Sequence, residues 1–101
     1  VKIERKTDQN NKRKVFLIDG ELDVHQVKNL KSEIIEELCP PGWEYELNMD
    51  KVTYLDSSGL GMLVYLKKEL NKHEGKLLIT HLHEPVLNVF KLTKLDTFFG
   101  I

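Results

Sequence analysis

Between Asp56 and Gly61 the chain sets one carboxylate, two serine hydroxyls and two glycines directly ahead of a long apolar repeat. Asp56, Ser57 or Ser58 can satisfy backbone N–H groups left free where a helix starts, and the positive end of the helix dipole favours a negative charge there. One reading is a cap. The other is a modification site. A phosphate on serine adds about −1.5 to −2 charges, at the helix end that tolerates them, so its effect falls on whatever docks nearby and not on the helix. Both roles coexist if one side chain caps and another is exposed.

Enzymatic readings of the same residues fit poorly. A nucleophile elbow needs G-x-S-x-G, and Ser57 follows Leu55 and Asp56 without the required glycine. A phosphate-binding loop needs a lysine after its second glycine, and Gly59 and Gly61 lack it, which also weighs against a nucleotide-binding protein. Glu21 and Asp23 follow Gly20 and could form paired carboxylates, but no cleft aromatics accompany them. Asp23 is a natural helix cap. His81 and His83 flank Leu82; with Cys39, His25 and His73 they give no ligand spacing for a closed four-ligand zinc site. No metal, cofactor or catalytic residue is expected.

The elements that position these residues follow from pattern. Lys2–Lys6 and Lys14–Ile18 predict two strands joined through turn composition at Asp8–Arg13, a hairpin. Gly20 is expected to end the second strand. Asp23 then caps a helix with Gln26 as its capping-box partner, and Val24, Val27, Leu30, Ile34 and Leu38 form its apolar stripe up to the prolines Pro40 and Pro41. Trp43, Tyr45, Leu47 and Met49 alternate with Glu44, Glu46 and Asn48, a strand with a wet face, near an edge, with a loop over Asp50–Leu55. A second helix runs from near Ser57 to about Lys72 on Leu60, Leu63, Val64, Leu66 and Leu70, stopped by Gly75. A strand over Lys76–Thr80 follows, then a helix from Glu84 and Pro85 to about Leu92, with Val86, Leu87, Val89, Phe90 and Leu92 on its apolar side. Phe98–Ile101 predicts a last short strand. Alternation of strands and helices argues a largely parallel sheet, in which loops at the C-terminal strand ends bring Asp23 near Ser57.

Composition bounds the class. The chain has 101 residues, 41% hydrophobic and 31% charged, with 15 basic against 16 acidic residues, which fits one domain with no general pull toward nucleic acid or anionic lipid. The cluster Lys12-Arg13-Lys14 reads as a solvated turn. One cysteine, Cys39, excludes an internal disulfide framework. No apolar run approaches the ~18 residues of a membrane span, and no signal peptide is visible. A soluble, cytoplasmic protein is expected, without a membrane or nucleic-acid partner.

Taken in order, Gly20 to Val24, Met49 to Leu70, His73 to Ile79 and Val86 to Phe99 resemble the STAS domain of bacterial anti-sigma-factor antagonists. The resemblance covers nearly the whole chain, and the run from Asp56 to Gly61 is its specific part. It implies an α/β fold: a STAS-like single domain over residues 1–101, with a mixed, mostly parallel β-sheet and helices packed mainly on one face. It implies a non-enzymatic partner switch. The unphosphorylated protein would bind an anti-sigma factor that is also a serine kinase, releasing a sigma factor. The kinase would use its own ATP to phosphorylate the serine after the aspartate, here Ser57, and a serine phosphatase would reverse this. Gly20, Glu21, Asp23, Asp56, Ser57, Ser58 and Gly59 are the expected partner-binding residues, with Asp23 and Asp56 positioning the hydroxyl and Ser58 assigned to capping. The alternative is a STAS subunit serving as a structural contact in a stress-signalling scaffold or lipid-transport complex. Many family members carry another helix after the last strand, and the stretch up to Ile101 departs from that pattern.

Overall fold

The computed structural model describes residues 1–101. Its elements run β1 (Lys2–Asp8), β2 (Arg13–Leu22), α1 (Val27–Ile35), β3 (Glu44–Leu55), α2 (Ser57–Lys72), β4 (Lys76–Thr80), α3 (Glu84–Leu92) and α4 (Asp96–Phe99). The sheet order is β1-β2-β3-β4. β1 pairs antiparallel with β2 through the expected hairpin, and the other pairs are parallel. The expected mixed, mostly parallel sheet is the observed one.

Alternation in β3 decides which face is covered. Tyr45, Leu47 and Met49 are buried with Trp43 just ahead of them, while Glu44, Glu46 and Asn48 are half-buried. Phe16 and Ile18 of β2 and Leu77 of β4 join the buried side, as do Leu30 and Ile34 of α1, Leu60, Met62, Leu63, Leu66 and Leu70 of α2, and Val86 and Phe90 of α3. These form one core cluster, so the helices lie on one face of the sheet. Each fully buried leucine contributes about 1.5–3 kcal/mol relative to exposure. The other face is polar: the Arg13 guanidinium donates to Glu44 Oε1 at 2.9 Å, and Thr80 Oγ1 donates to Glu46 Oε2 at 2.8 Å.

Several expectations need correction. Gly20 does not end β2. Without a Cβ it takes φ +128° inside the strand, beside irregularities in the β2–β3 register, and pairing continues to Leu22. β3 is central and not an edge strand, and it continues through Lys51–Leu55, held by β2 on that side. α1 starts at Val27, not after Asp23, which leaves Val24 60% exposed. Leu92, the last residue of α3, is 83% exposed and lies outside the core. Phe98–Ile101 is not a strand: one turn of helix, closed by Gly100 in the left-handed region, puts the Phe99 ring edge-on to Phe90 at 5.3 Å.

The N-terminal ends of the parallel strands are laced together by backbone bonds. Glu44 N donates to Lys12 O at 2.8 Å, Gly42 N to Glu74 O at 2.9 Å, and Lys76 N to Trp43 O at 3.0 Å. Here α2 stops with Glu74 at φ 58°, after which Gly75 N donates back to Leu70 O at 2.8 Å. Gly75 is required for space, since a Cβ would lie 2.7 Å from Tyr45 Cε1.

Candidate functional site

The opposite end of the sheet carries Ser57. In the parallel register Leu22 stands beside Leu55, so the next residue of each strand, Asp23 and Asp56, leaves the sheet on the same edge. The two exits are tied, because Asp56 N donates to Leu22 O at 3.3 Å. Asp56 is extended (φ −103°, ψ −174°) and is the N-cap of α2. Its Oδ1 accepts the Gly59 N–H at 3.0 Å, while its carbonyl accepts Leu60 N at 3.0 Å. The cap is therefore Asp56 and not Ser58.

Ser57 occupies the first helical position and is exposed, and its hydroxyl has no hydrogen bond within the chain. Ser58 is half-buried and turns toward α1. Gly59 is buried under the β2 terminus. A Cβ there would stand 2.4 Å from the Leu22 carbonyl oxygen and 2.6 Å from Leu55 Cδ1. Its role is to let the start of α2 press against the sheet, which fixes where Ser57 projects.

The remaining expected residues share this edge. Asp23 does not cap α1. Its Oδ1 accepts the His25 N–H at 2.9 Å and its carbonyl accepts Gln26 N and Val27 N at 3.0 and 3.2 Å, forming a turn ahead of the helix. Gln26, expected as the capping-box partner, is itself the N-cap position and offers no side-chain bond to the helix. Glu21 is exposed and pairs across to Tyr54. Gly20 lies further back, opposite Val52. Glu21, Asp23 and Asp56 are thus carried at the same end of the sheet as the free Ser57 hydroxyl, which sits at the positive end of a 16-residue helix.

Sequence reasoning missed the apolar members of this edge. Val24 is 60% and Tyr54 50% exposed. Helical spacing puts Val24 on a buried stripe and turn composition puts Tyr54 in a loop, and neither pattern signals exposure at this end of the sheet. The histidine pair does not converge: His81 Nδ1 meets Thr80 Oγ1 at 3.0 Å, and His83 Nε2 meets Asp50 Oδ1 at 2.8 Å. No group of three or more His, Cys, Asp or Glu side chains is placed to hold a metal. A depression of about 280 Å³ on the uncovered sheet face sets two ammoniums, of Lys2 and Lys51, against three carboxylates, of Glu4, Asp19 and Asp50. No helix is long and apolar enough to cross a membrane.

With this geometry in place, residues 2–101 match a family model described as the STAS domain. An anti-sigma-B factor antagonist of Staphylococcus aureus is 33% identical over 79 residues, covering 77% of this chain and 72% of that protein. Among solved structures, the anti-sigma factor antagonist SpoIIAA in its unphosphorylated form aligns with a TM-score of 0.73 at 20% identity, over 99% of this chain and 98% of that one. The Bacillus SpoIIAA in its phosphorylated form aligns at 0.67 and 20% identity, over 95% and 86%. The murine anion transporter Slc26a9 aligns at 0.77 and 16% identity, over 86% of this chain and 14% of that one. At these identities the structural likeness speaks for the fold alone.

Proposed function

The chain belongs to the STAS domain family, and from that premise we propose that it is an anti-sigma factor antagonist switched off by phosphorylation of Ser57. The observation that carries the reading is an exposed hydroxyl, free of internal hydrogen bonds, held at the first position of α2 by the Asp56 cap and the Gly59 contact.

In the unmodified state the edge formed by Glu21, Asp23, Val24, Tyr54 and Ser57 docks on an anti-sigma factor, which then lets go of its sigma factor. The same anti-sigma factor acts as a serine kinase. The Ser57 oxygen attacks the γ-phosphorus of ATP held by the kinase, an O–P bond forms, the bond to the β-phosphate oxygen breaks, and ADP leaves. The hydroxyl proton passes to a base of the kinase. A separate serine phosphatase hydrolyses the ester and restores the hydroxyl. The chain itself is a substrate and a binding module and supplies no catalytic group.

The switch is electrostatic. About two negative charges are added at the end of the sheet that already carries Glu21, Asp23 and Asp56. Desolvating an unpaired charge on docking costs about 2–5 kcal/mol, which is roughly 30-fold to several-thousand-fold in affinity. Titration calorimetry with the cognate anti-sigma factor tests this. Ser57→Asp should bind at least about tenfold more weakly than wild type, and Ser57→Ala should bind normally yet accept no phosphate. Equal affinity of the two variants, with no phosphate on Ser57 in the intact mass of the native protein, would instead favour a structural STAS subunit.

A further inference from the structure

Two glycines stand close together at the start of α2, and only one has an internal reason. Gly59 is pressed against Leu22, whereas a Cβ on Gly61 would meet nothing within 4 Å. Gly61 is exposed, carries no positive φ, and lies inside a helix, where glycine is among the least favourable residues. Neither turn geometry nor packing within the chain accounts for it.

Gly61 lines a groove of about 290 Å³ between α1 and α2. The other walls are Val27, Lys28 and Lys31 from α1 and Ser58, Met62 and Tyr65 from α2. The groove holds no carboxylate, and neither lysine is in an ion pair within the chain. Lys31 Nζ rests 4.7 Å above the Tyr65 ring, which is itself 43% exposed. An apolar trough with two uncompensated cations and bare backbone on one wall is complementary to a segment that combines apolar contact with carboxylates.

We propose that this groove receives an acidic segment of the same anti-sigma factor that docks at Ser57, the segment approaching the α2 backbone at Gly61. The inference rests on the function proposed above. Continuity supports it: Ser58 lines the groove, and Ser57 precedes it in the first turn of α2. It also gives the switch a second lever. A phosphate on Ser57 repels the entering carboxylates and competes with them for Lys28 and Lys31.

The experiment uses the full chain and its cognate anti-sigma factor, with titration calorimetry, thermal melting and sedimentation of wild type, Gly61→Ala and the pair Lys28→Glu/Lys31→Glu. Gly61→Ala should melt at the wild-type temperature or roughly 2–8 °C above it, while its Kd rises about tenfold or more. The charge-reversed pair should also bind about tenfold or more weakly at low salt, the gap narrowing as salt is raised. Binding of both variants within about twofold of wild type overturns the groove assignment and leaves the Ser57 reading intact. Unchanged binding with loss of self-association overturns it in favour of a second copy of this chain. A lowered melting temperature for Gly61→Ala overturns it by giving that glycine an internal reason. Failure of the wild type to bind the anti-sigma factor overturns the functional reading itself, and the groove assignment with it.

Discussion

Replacing Gly59 by alanine tests how Ser57, the proposed switch residue, is held. The added Cβ would lie 2.4 Å from the Leu22 carbonyl oxygen and 2.6 Å from Leu55 Cδ1. Leu55 can shift its side chain, but the Leu22 oxygen is backbone within a paired strand, so α2 must move instead. Overpacking of this kind costs about 1–3 kcal/mol. Moving α2 also lengthens the 3.3 Å bond from Asp56 N to Leu22 O, whose loss is worth about 1 kcal/mol. Alanine returns about 0.5–1 kcal/mol of helix propensity. The net expectation is a loss of about 1–3 kcal/mol. For a domain of this size that lowers Tm by roughly 5–20 °C. Circular dichroism melts and urea titration, with an unchanged m-value, measure it directly. A Tm within about 2 °C of wild type, or above it, would refute the claim that contact with the β2 terminus fixes the start of α2. Under the proposed function the variant should also be a poorer kinase substrate at temperatures where it is still folded, because Ser57 is two residues from the displaced backbone.

Asp56→Ala removes the acceptor of the Gly59 N–H; the loss should be about 1 kcal/mol, seen as a Tm lowered by roughly 4–8 °C, with Asp56→Asn recovering most of it. Acid stability should depend on Glu37, whose carboxyl is held below its ordinary value of 4.5 chiefly by its contact with the Lys14 ammonium, helped by Arg5. A folded-state pKa below the unfolded one means that this stabilisation is complete above about pH 4.5 and is lost as pH falls through the folded value. Urea midpoints followed from pH 6 down to about pH 3 should therefore fall less steeply in Glu37→Gln than in wild type, and parallel slopes would remove Glu37 from the account.

What local pattern encodes, the sequence displays. The β3 face of Trp43, Tyr45, Leu47 and Met49 is buried as its alternation requires, and α2 begins at Ser57 and ends at Lys72 because a polar cluster and a glycine bound its apolar stripe. What depends on a neighbour is less visible. β2 passes through Gly20, and β3 continues over Lys51–Leu55, because each supplies the other's backbone partners, and composition carries no trace of that ladder. Asp23 resembles a helix cap, yet its carboxylate closes a turn on His25 N, which delays α1 to Val27. At the site, Asp56 and Ser58 both offer oxygens to the first turn of α2, and only the extended backbone of Asp56 shows which one accepts the Gly59 N–H. Lys28, Lys31, Gly61 and Tyr65 look like parts of two solvated helix surfaces until α1 and α2 are set side by side.

The lacing of Lys12, Gly42, Trp43, Glu44, Glu74 and Lys76 has a practical corollary. It lies at the far pole from the serine, so damage there should register as lost thermal tolerance while affinity per folded molecule stays constant. A screen that scores both quantities would sort random variants geographically, without any knowledge of the visitor's shape. Dyes or surface tethers attached at that pole would leave the end of the sheet that carries Ser57 unobstructed.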